Sequence, residues 1–278
     1  MEINKKIIKL LNNVKEKNPL VHHITNYVTV NDCANITLAI GGSPVMAEDI
    51  NEVCDMVSLS SALVINIGTL NSMSVKAMLQ AGKRANELNI PVILDPVGAG
   101  ATSYRTETAK KIISEVKLAV IRGNLSEIKT LYGVHSKTKG VDACNNASVS
   151  GNEITEEKEM ARALAIKFNT VVAITGAVDL ITDGEILYSV ENGHKIMAKV
   201  TGTGCMCTSL IGSYLGAGDN NLIAALAGIV SMGIAGEIAY ESLDKNMGGT
   251  GSLKIKILDA IYNLSDVEII ERGKINEE

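Results

Sequence analysis

Tryptophan is missing from this 278-residue sequence, and Phe168 is its single phenylalanine. So few flat side chains leave little for the bases of a single-stranded nucleic acid to stack on. There is no basic excess either: 26 Lys and Arg stand against 31 Asp and Glu, a net charge of −5. That balance argues against nucleic acid or an anionic membrane as the main partner. It leaves room for a nucleotide, whose phosphates are held by local backbone N–H groups and a few cations. No CxxC pair occurs among the five scattered cysteines, Cys33, Cys54, Cys144, Cys205 and Cys207. A zinc site is thereby disfavoured, and reduced thiols in a cytoplasmic protein are the simpler account. The most membrane-like run, Asn221 to Gly236, falls short of the ~20 apolar residues that a span requires. It is rich in Ala and Gly and reads as a buried helix of a soluble core. The first residues, MEINKKIIKLLNNVKEKNP, pattern as an amphipathic helix without the apolar core and cleavage site of a signal peptide. Neither GxxxxGK[ST] nor GxGxxG occurs, which excludes a P-loop enzyme and weakens a dinucleotide fold.

What the sequence does contain is a rhythm of short β-branched runs and longer helical patterns. Strands are expected at Ala62–Thr69, Pro91–Asp95, Leu118–Gly123 and Val171–Gly176. Helices are expected from an Asn71 cap to about Leu88, over Ser103–Val116, from about Leu125, after a Thr155 cap, and over Leu253–Leu264. This alternation predicts a parallel sheet covered by helices on both faces. Asp183-Gly184 between two apolar runs signals a hairpin, hence an antiparallel edge. No linker divides the chain, so one domain spanning residues 1–278 is expected.

In an open parallel sheet, ligands bind beyond the carboxyl ends of the strands. The residues there are Gly68, Asp95, Arg122, Asn124, Thr175 and Gly176. Arg122 suits phosphate and Asp95 suits Mg²⁺, directly or through water. Each also has a plain structural role open to it: Asp95 can cap a turn before Pro96, Arg122 can pair with a surface carboxylate, and Asn124 with Glu127 fits a capping box. The stretch KVTGTGCMCTSLIGSYLGAG predicts turn residues at Gly202 and Gly204, following a strand, with a helix starting near Cys205. The N–H groups at such a start form an anion site. Gly248–Ser252 reads as either a second phosphate loop or the turn before the last helix. His22-His23 is no metal pair, since adjacent strand residues face opposite ways.

Taken in order, VHHITNYVTVNDCANITLAIGGSPVMAED, LDPVGAGAT, IRGNLSEI, AITG and VTGTGC closely resemble the hydroxyethylthiazole kinases, members of the ribokinase-like group, over roughly Asn18 to Leu264. The resemblance implies a three-layer α/β/α fold and a cytoplasmic homotrimer with active sites between subunits. It implies transfer of phosphate from ATP, with Mg²⁺, to the hydroxyl of 4-methyl-5-(2-hydroxyethyl)thiazole. By matching motif, Asn26, Val28, Met46, Gly68 and Gly202 would meet the thiazole, with Gly68 supplied by a neighbouring subunit. Arg122, Thr175 and Asn124 would meet ATP, and Asp95 and Glu127 would organise Mg²⁺. Gly202, Gly204 and Cys205 would form the catalytic loop. Most ribokinase-like enzymes carry an aspartate where Cys205 stands. A helix N-terminus lowers a thiol's pKa below its usual ~8.5, so Cys205 is expected to position the alcohol and assist its deprotonation modestly. Competing readings are a kinase of pyridoxal or hydroxymethylpyrimidine, a nucleotide-dependent dehydratase, and a binding sensor on a retired kinase scaffold.

Overall fold

A computed structural model describes residues 2–133, 151–244 and 246–278, with backbone alone for 151–154. Cys144 therefore lies outside the described residues. The strands are β1 (Leu20–Ile24), β2 (Ser43–Met46), β3 (Ala62–Asn66), β4 (Val92–Asp95), β5 (Val120–Asn124), β6 (Val171–Thr175), β7 (Asp179–Thr182), β8 (Leu187–Val190) and β9 (Ile275–Glu277). The helices are α1 (Glu2–Lys17), α2 (Val30–Ile40), α3 (Val53–Leu59), α4 (Ser72–Glu87), α5 (Ser103–Glu115), α6 (Leu125–Tyr132), α7 (Gly151–Phe168), α8 (Thr203–Ala217), α9 (Asn221–Glu241), α10 (Thr250–Tyr262) and α11 (Asp266–Arg272).

One sheet runs in the order β2-β1-β3-β4-β5-β6-β7-β8-β9. Pairing is parallel from β2 to β6 and antiparallel from β6 to β9, as the hairpin signal predicted. Alternation along each strand divides the apolar residues between two layers. On β3, Ala62 and Val64 join the core under α1, α2, α8, α9 and α10, while Leu63 and Ile65 join the core under α3 to α7. Being buried on both faces, β3 reads as an unbroken apolar run.

Local signals account for the element boundaries. Asn71 caps α4 by accepting from Met73 N and Ser74 N, and Thr102 caps α5 by accepting from Arg105 N. Asp183 Oδ1 accepts from Glu185 N and Ile186 N in the β7–β8 turn. Helix α9 is long and apolar enough to cross a membrane, yet 89% of its apolar window is buried within the fold. It lies so close to α8 that a Cβ at Gly228 would collide with the Ile211 side chain.

Three expectations change. Thr155 lies inside α7, which begins at Gly151; threonine is only mildly unfavourable in a helix, so the preceding residues extend it. The glycine loop at 201–205 follows a 3-10 turn, Lys195–Lys199, and not a strand. Gly193, at φ +119°, turns the chain away from β8, and the His194 ring then accepts from Ile196 N. Finally, α8 starts at Thr203, so Gly204 is a helical residue and only Gly202, at φ +90°, makes the turn.

Candidate active site

The parallel strands end along one edge of the sheet, and their register lines up polar side chains there. Asn66 on β3 is opposite Asp95 on β4, and Asn124 on β5 is opposite Thr175 on β6. Arg122, one pleat below Asn124, donates from Nη2 to Thr175 Oγ1 at 2.5 Å and brings Nη1 to 3.7 Å from Asp95 Oδ2. Asp95 is fully buried; its Oδ2 accepts from Asn66 Nδ2 at 3.0 Å and Thr208 Oγ1 at 2.8 Å. Burial lifts the Asp95 carboxyl above its ordinary value, opposed by Arg122, Thr208 and Asn66. Burial works against the Arg122 charge, but Asp95 and the neighbouring Cys207, Glu127 and Cys205 hold its pKa above the usual range. Among the described residues, Asp95 Oδ1 and Arg122 Nε are buried without a hydrogen-bond partner.

Glu127 forms the capping box of α6 with Asn124. Its Oε2 accepts from Asn124 N and its Oε1 from Gly98 N, both at 2.8 Å. Burial, with Asp95 nearby, pushes this carboxyl up to about 7 despite those two donors. The structural reading of Glu127 thus holds, since it closes the helix, and its carboxyl lies within the field of Asp95.

Cys205 sits in the first turn of α8, where its sulfur accepts from Asn66 Nδ2 at 3.3 Å and Asn26 Nδ2 at 3.4 Å. Asn26 also donates to Asn66 Oδ1, and its own Oδ1 holds the Thr29 backbone and hydroxyl. A continuous hydrogen-bonded chain therefore runs Thr29–Asn26–Asn66–Asp95–Thr208. The expected low thiol pKa is not found. Burial, reinforced by Asp95, pushes the Cys205 thiol upward, opposed by Thr29, Asn26 and Asn66. Gly202 packs its Cα side against Thr29 and Asp32, and a Cβ at Gly204 would sit 2.7 Å from Arg122 Nη1. Gly68 N donates to Asn66 Oδ1, tying the end of β3 into the same chain.

Beside this chain a cleft of about 550 Å³ opens at the ends of β1 and β2, with Met46, Val30 and Leu70 among its apolar walls and Arg105 at its rim. Asn26 lies buried alongside it, while Val28 turns its side chain outward, 56% exposed. Within one chain, then, the structure joins Asn26, Gly68, Asp95, Arg122, Thr175 and Cys205, places Met46 in the adjacent cleft, and leaves Val28 outside.

Several site residues escaped sequence reasoning. Asn66 had a signal, as the last residue of a strand next to that bearing Asp95. Thr208, one turn beyond Cys205, had helical spacing as its only signal. Asp179, raised by burial to about 7 with Gly176 N donating to it, depends on how the hairpin folds back. Arg105 donates to three backbone carbonyls, those of Ile67, Val97 and Gly68, at 2.7 to 2.8 Å, and no local pattern announces it.

Comparison with known proteins adds a family to this geometry. Residues 11–267 match the model of the hydroxyethylthiazole kinase family. A hydroxyethylthiazole kinase of Clostridium tetani is 60% identical over 275 residues, covering 99% of both chains. A solved hydroxyethylthiazole kinase structure from Pyrococcus horikoshii superposes with a TM-score of 0.88 at 40% identity, covering 99% of each chain. A pyridoxal kinase from Staphylococcus aureus shares the fold at 15% identity, with a TM-score of 0.61 over 94% of this chain and 98% of its own. The three-layer ribokinase-like architecture expected from the sequence is the one observed.

Proposed function

Because the chain belongs to the hydroxyethylthiazole kinase family, we propose that it transfers the terminal phosphoryl group of ATP, with Mg²⁺, to the hydroxyl of 4-methyl-5-(2-hydroxyethyl)thiazole. The observation that carries this reading is the meeting of Asp95, Arg122 and Cys205 at the first turn of α8, beside a cleft of mixed polar and apolar lining with room for a small ring. Such transfer depends mainly on positioning and charge neutralisation. Arg122, fixed by Thr175, faces the phosphates, and the N–H groups at the start of α8 meet the transferring oxygens.

The site suits a hard cation. Asp95 Oδ1 is buried and unpartnered among the described residues, and each Glu127 oxygen has spent only one acceptor position on a backbone N–H. Asp95 and Glu127 would hold Mg²⁺ through its waters, and Mg²⁺ supplies neutralisation of phosphate charge. Cys205, kept as a thiol by burial, positions the substrate hydroxyl by contact and does not accept its proton.

Met46 lines the ring cleft, and Asn26 lies beside it. Tyr27, 79% exposed, and Val28 stand at its outer side. Exposed apolar side chains at a site's edge fit an interface with another subunit, which supports a homotrimer with shared sites; Gly68, tied to Asn66 and packed on Asn26 of its own chain, counts towards that chain's site and not as the neighbour's contribution. The single sheet with a core on each face supports one kinase domain over the chain. The test is ADP release from MgATP with hydroxyethylthiazole, beside pyridoxal and hydroxymethylpyrimidine, with product mass measured. One phosphoryl added to the thiazole is expected. Turnover on another alcohol with none on thiazole would overturn the reading, and a stable monomer in sedimentation would overturn the shared site.

A further inference from the structure

The glycine turn that opens α8 has a charge on each side, and the scheme above uses one of them, Arg122, which packs against Gly204. On the other side stands Asp32, whose Oδ2 would lie 3.5 Å from a Cβ at Gly202. Asp32 is 6% exposed and sits in the first turn of α2, where the helix dipole favours an acid. The same carboxylate opposes a phosphate at the neighbouring turn, because the charges are alike and a buried charge is screened little. Its other oxygen, Oδ1, lies 2.6 Å from Lys254 Nζ. Among the described residues, Lys254 is the one ion-pair partner of Asp32. The glycine-rich run Gly248–Ser252 brings it there: the run opens α10, which packs on α2 and carries Lys254 at the start of its second turn.

Removing one member of a buried ion pair leaves the other uncompensated, and the effect exceeds what the pair itself contributes. Here the member left would be a carboxylate beside the N–H groups that meet phosphate. We propose that Lys254 is a positioning residue of the phosphoryl end: by neutralising Asp32, it keeps the glycine turn receptive to the terminal phosphate of ATP. The pair lets α2 hold an acid at its start without charging the turn. The inference rests on the assignment of that turn to phosphate. A plain tie between α2 and α10 is the alternative, and the two differ in which member matters. A tie is lost with either residue. Charge compensation is lost with the lysine and returns when the aspartate is neutralised as well.

The experiment compares Lys254→Met, Asp32→Asn and the double variant with the wild-type chain. Two readouts are taken: kcat/KM for MgATP, and equilibrium binding of ADP and of a non-hydrolysable ATP analogue, each with Mg²⁺. Lys254→Met is expected to lower kcat/KM by about tenfold. It should also weaken the analogue more than ADP, which lacks the phosphate nearest the turn. Asp32→Asn costs less than Lys254→Met, and the double variant regains most of the loss in both readouts. A tie between helices would instead make the two single variants equally damaging, leave the double variant no better, and weaken both nucleotides alike. That pattern overturns the proposal. Lys254→Gln, which keeps a donor for Asp32 without the charge, reads the same loss through a gentler change, and wild-type behaviour there also overturns it. Failure of the wild-type chain to phosphorylate hydroxyethylthiazole is a separate result: it removes the assigned acceptor, while the binding measurements still decide the role of Lys254. A wild-type chain that binds neither nucleotide removes the assignment of the turn, and the proposal with it.

Discussion

The two ends of the proposed site differ in openness. At the phosphoryl end, Asp95, Asn66, Thr208 and Glu127 are buried and hydrogen-bonded to one another or to backbone N–H groups, with Asp95 Oδ1 and Arg122 Nε left without a partner among the described residues. At the ring end, a cleft of about 550 Å³ is edged by Tyr27 at 79% exposure. The phosphoryl end is closed around a polar network of one chain, while the ring end is open. Catalysis by electrostatic positioning requires the first design, since dipoles that must reorganise during reaction stabilise less. Selection of a small ring tolerates the second.

Substitutions test the contrast by where their effects fall. Arg122→Ala is expected to be the most severe, lowering kcat/KM by about 10³-fold, with much of the loss in kcat. Arg122→Lys, which keeps the charge but not the fork, should recover only part of it. Met46→Ala, at the other end, should raise KM by about tenfold and leave kcat nearly as it was. Steady-state kinetics in both substrates separate the two patterns. Should Met46→Ala lower kcat as severely as Arg122→Ala, the two ends would not be distinct.

Cys205→Ala sharpens the boundary between the ends. With its thiol held protonated, its loss is expected to lower kcat by less than about tenfold and to shift the acid limb of the pH–rate profile little. A loss as large as that of Arg122→Ala would restore the thiol as a proton acceptor.

The smallest effect is one of stability and concerns Asp179, at the start of the hairpin. Its folded-state pKa is raised to about 7 by burial, from an ordinary 3.8. The folded state therefore binds this proton more tightly than the unfolded chain does. Its stabilising contribution is complete below the unfolded value and is lost as pH rises through about 7. Asp179→Asn, which can still accept from Gly176 N, should already melt somewhat above wild type at pH 5, inside that window, and a few degrees further above it at pH 8.5. Equal melting temperatures at both pH values would show that the carboxyl is not strained by burial.

The placement of residues at the phosphoryl end was also the legible one. Asp95, Arg122 and Thr175 sit at the ends of parallel strands, as expected, and the β-branched runs before them announce those strands. Asn66 was overlooked because the small residue after it, Gly68, drew the reading beyond the strand's end. The 3-10 turn before the glycine loop was missed because its apolar residues, Ile196 and Met197, pattern like a short strand. The fold itself was readable, since α/β alternation is local. The direction of the Cys205 pKa shift was not, because it is set by burial and Asp95 working against Asn66 and Asn26, residues 110 to 179 positions away in sequence. The pairing of Asp32 with Lys254 shows only when α2 and α10 have been placed together.

The close approach of α8 and α9 at Gly228 gives the start of α8 a mechanical character. Gly228 admits Ile211, so α8 is gripped near its middle by a close-packed neighbour. From that grip to Thr203 the helix runs about 12 Å, at 1.5 Å per residue, and its first turn is clamped again by Asn26 and Asn66 at Cys205, by Asp95 at Thr208 and by Thr29 against Gly202. The segment is a short strut held at both ends, and a side chain at residue 228 would push on it from a part of the molecule remote from the cleft.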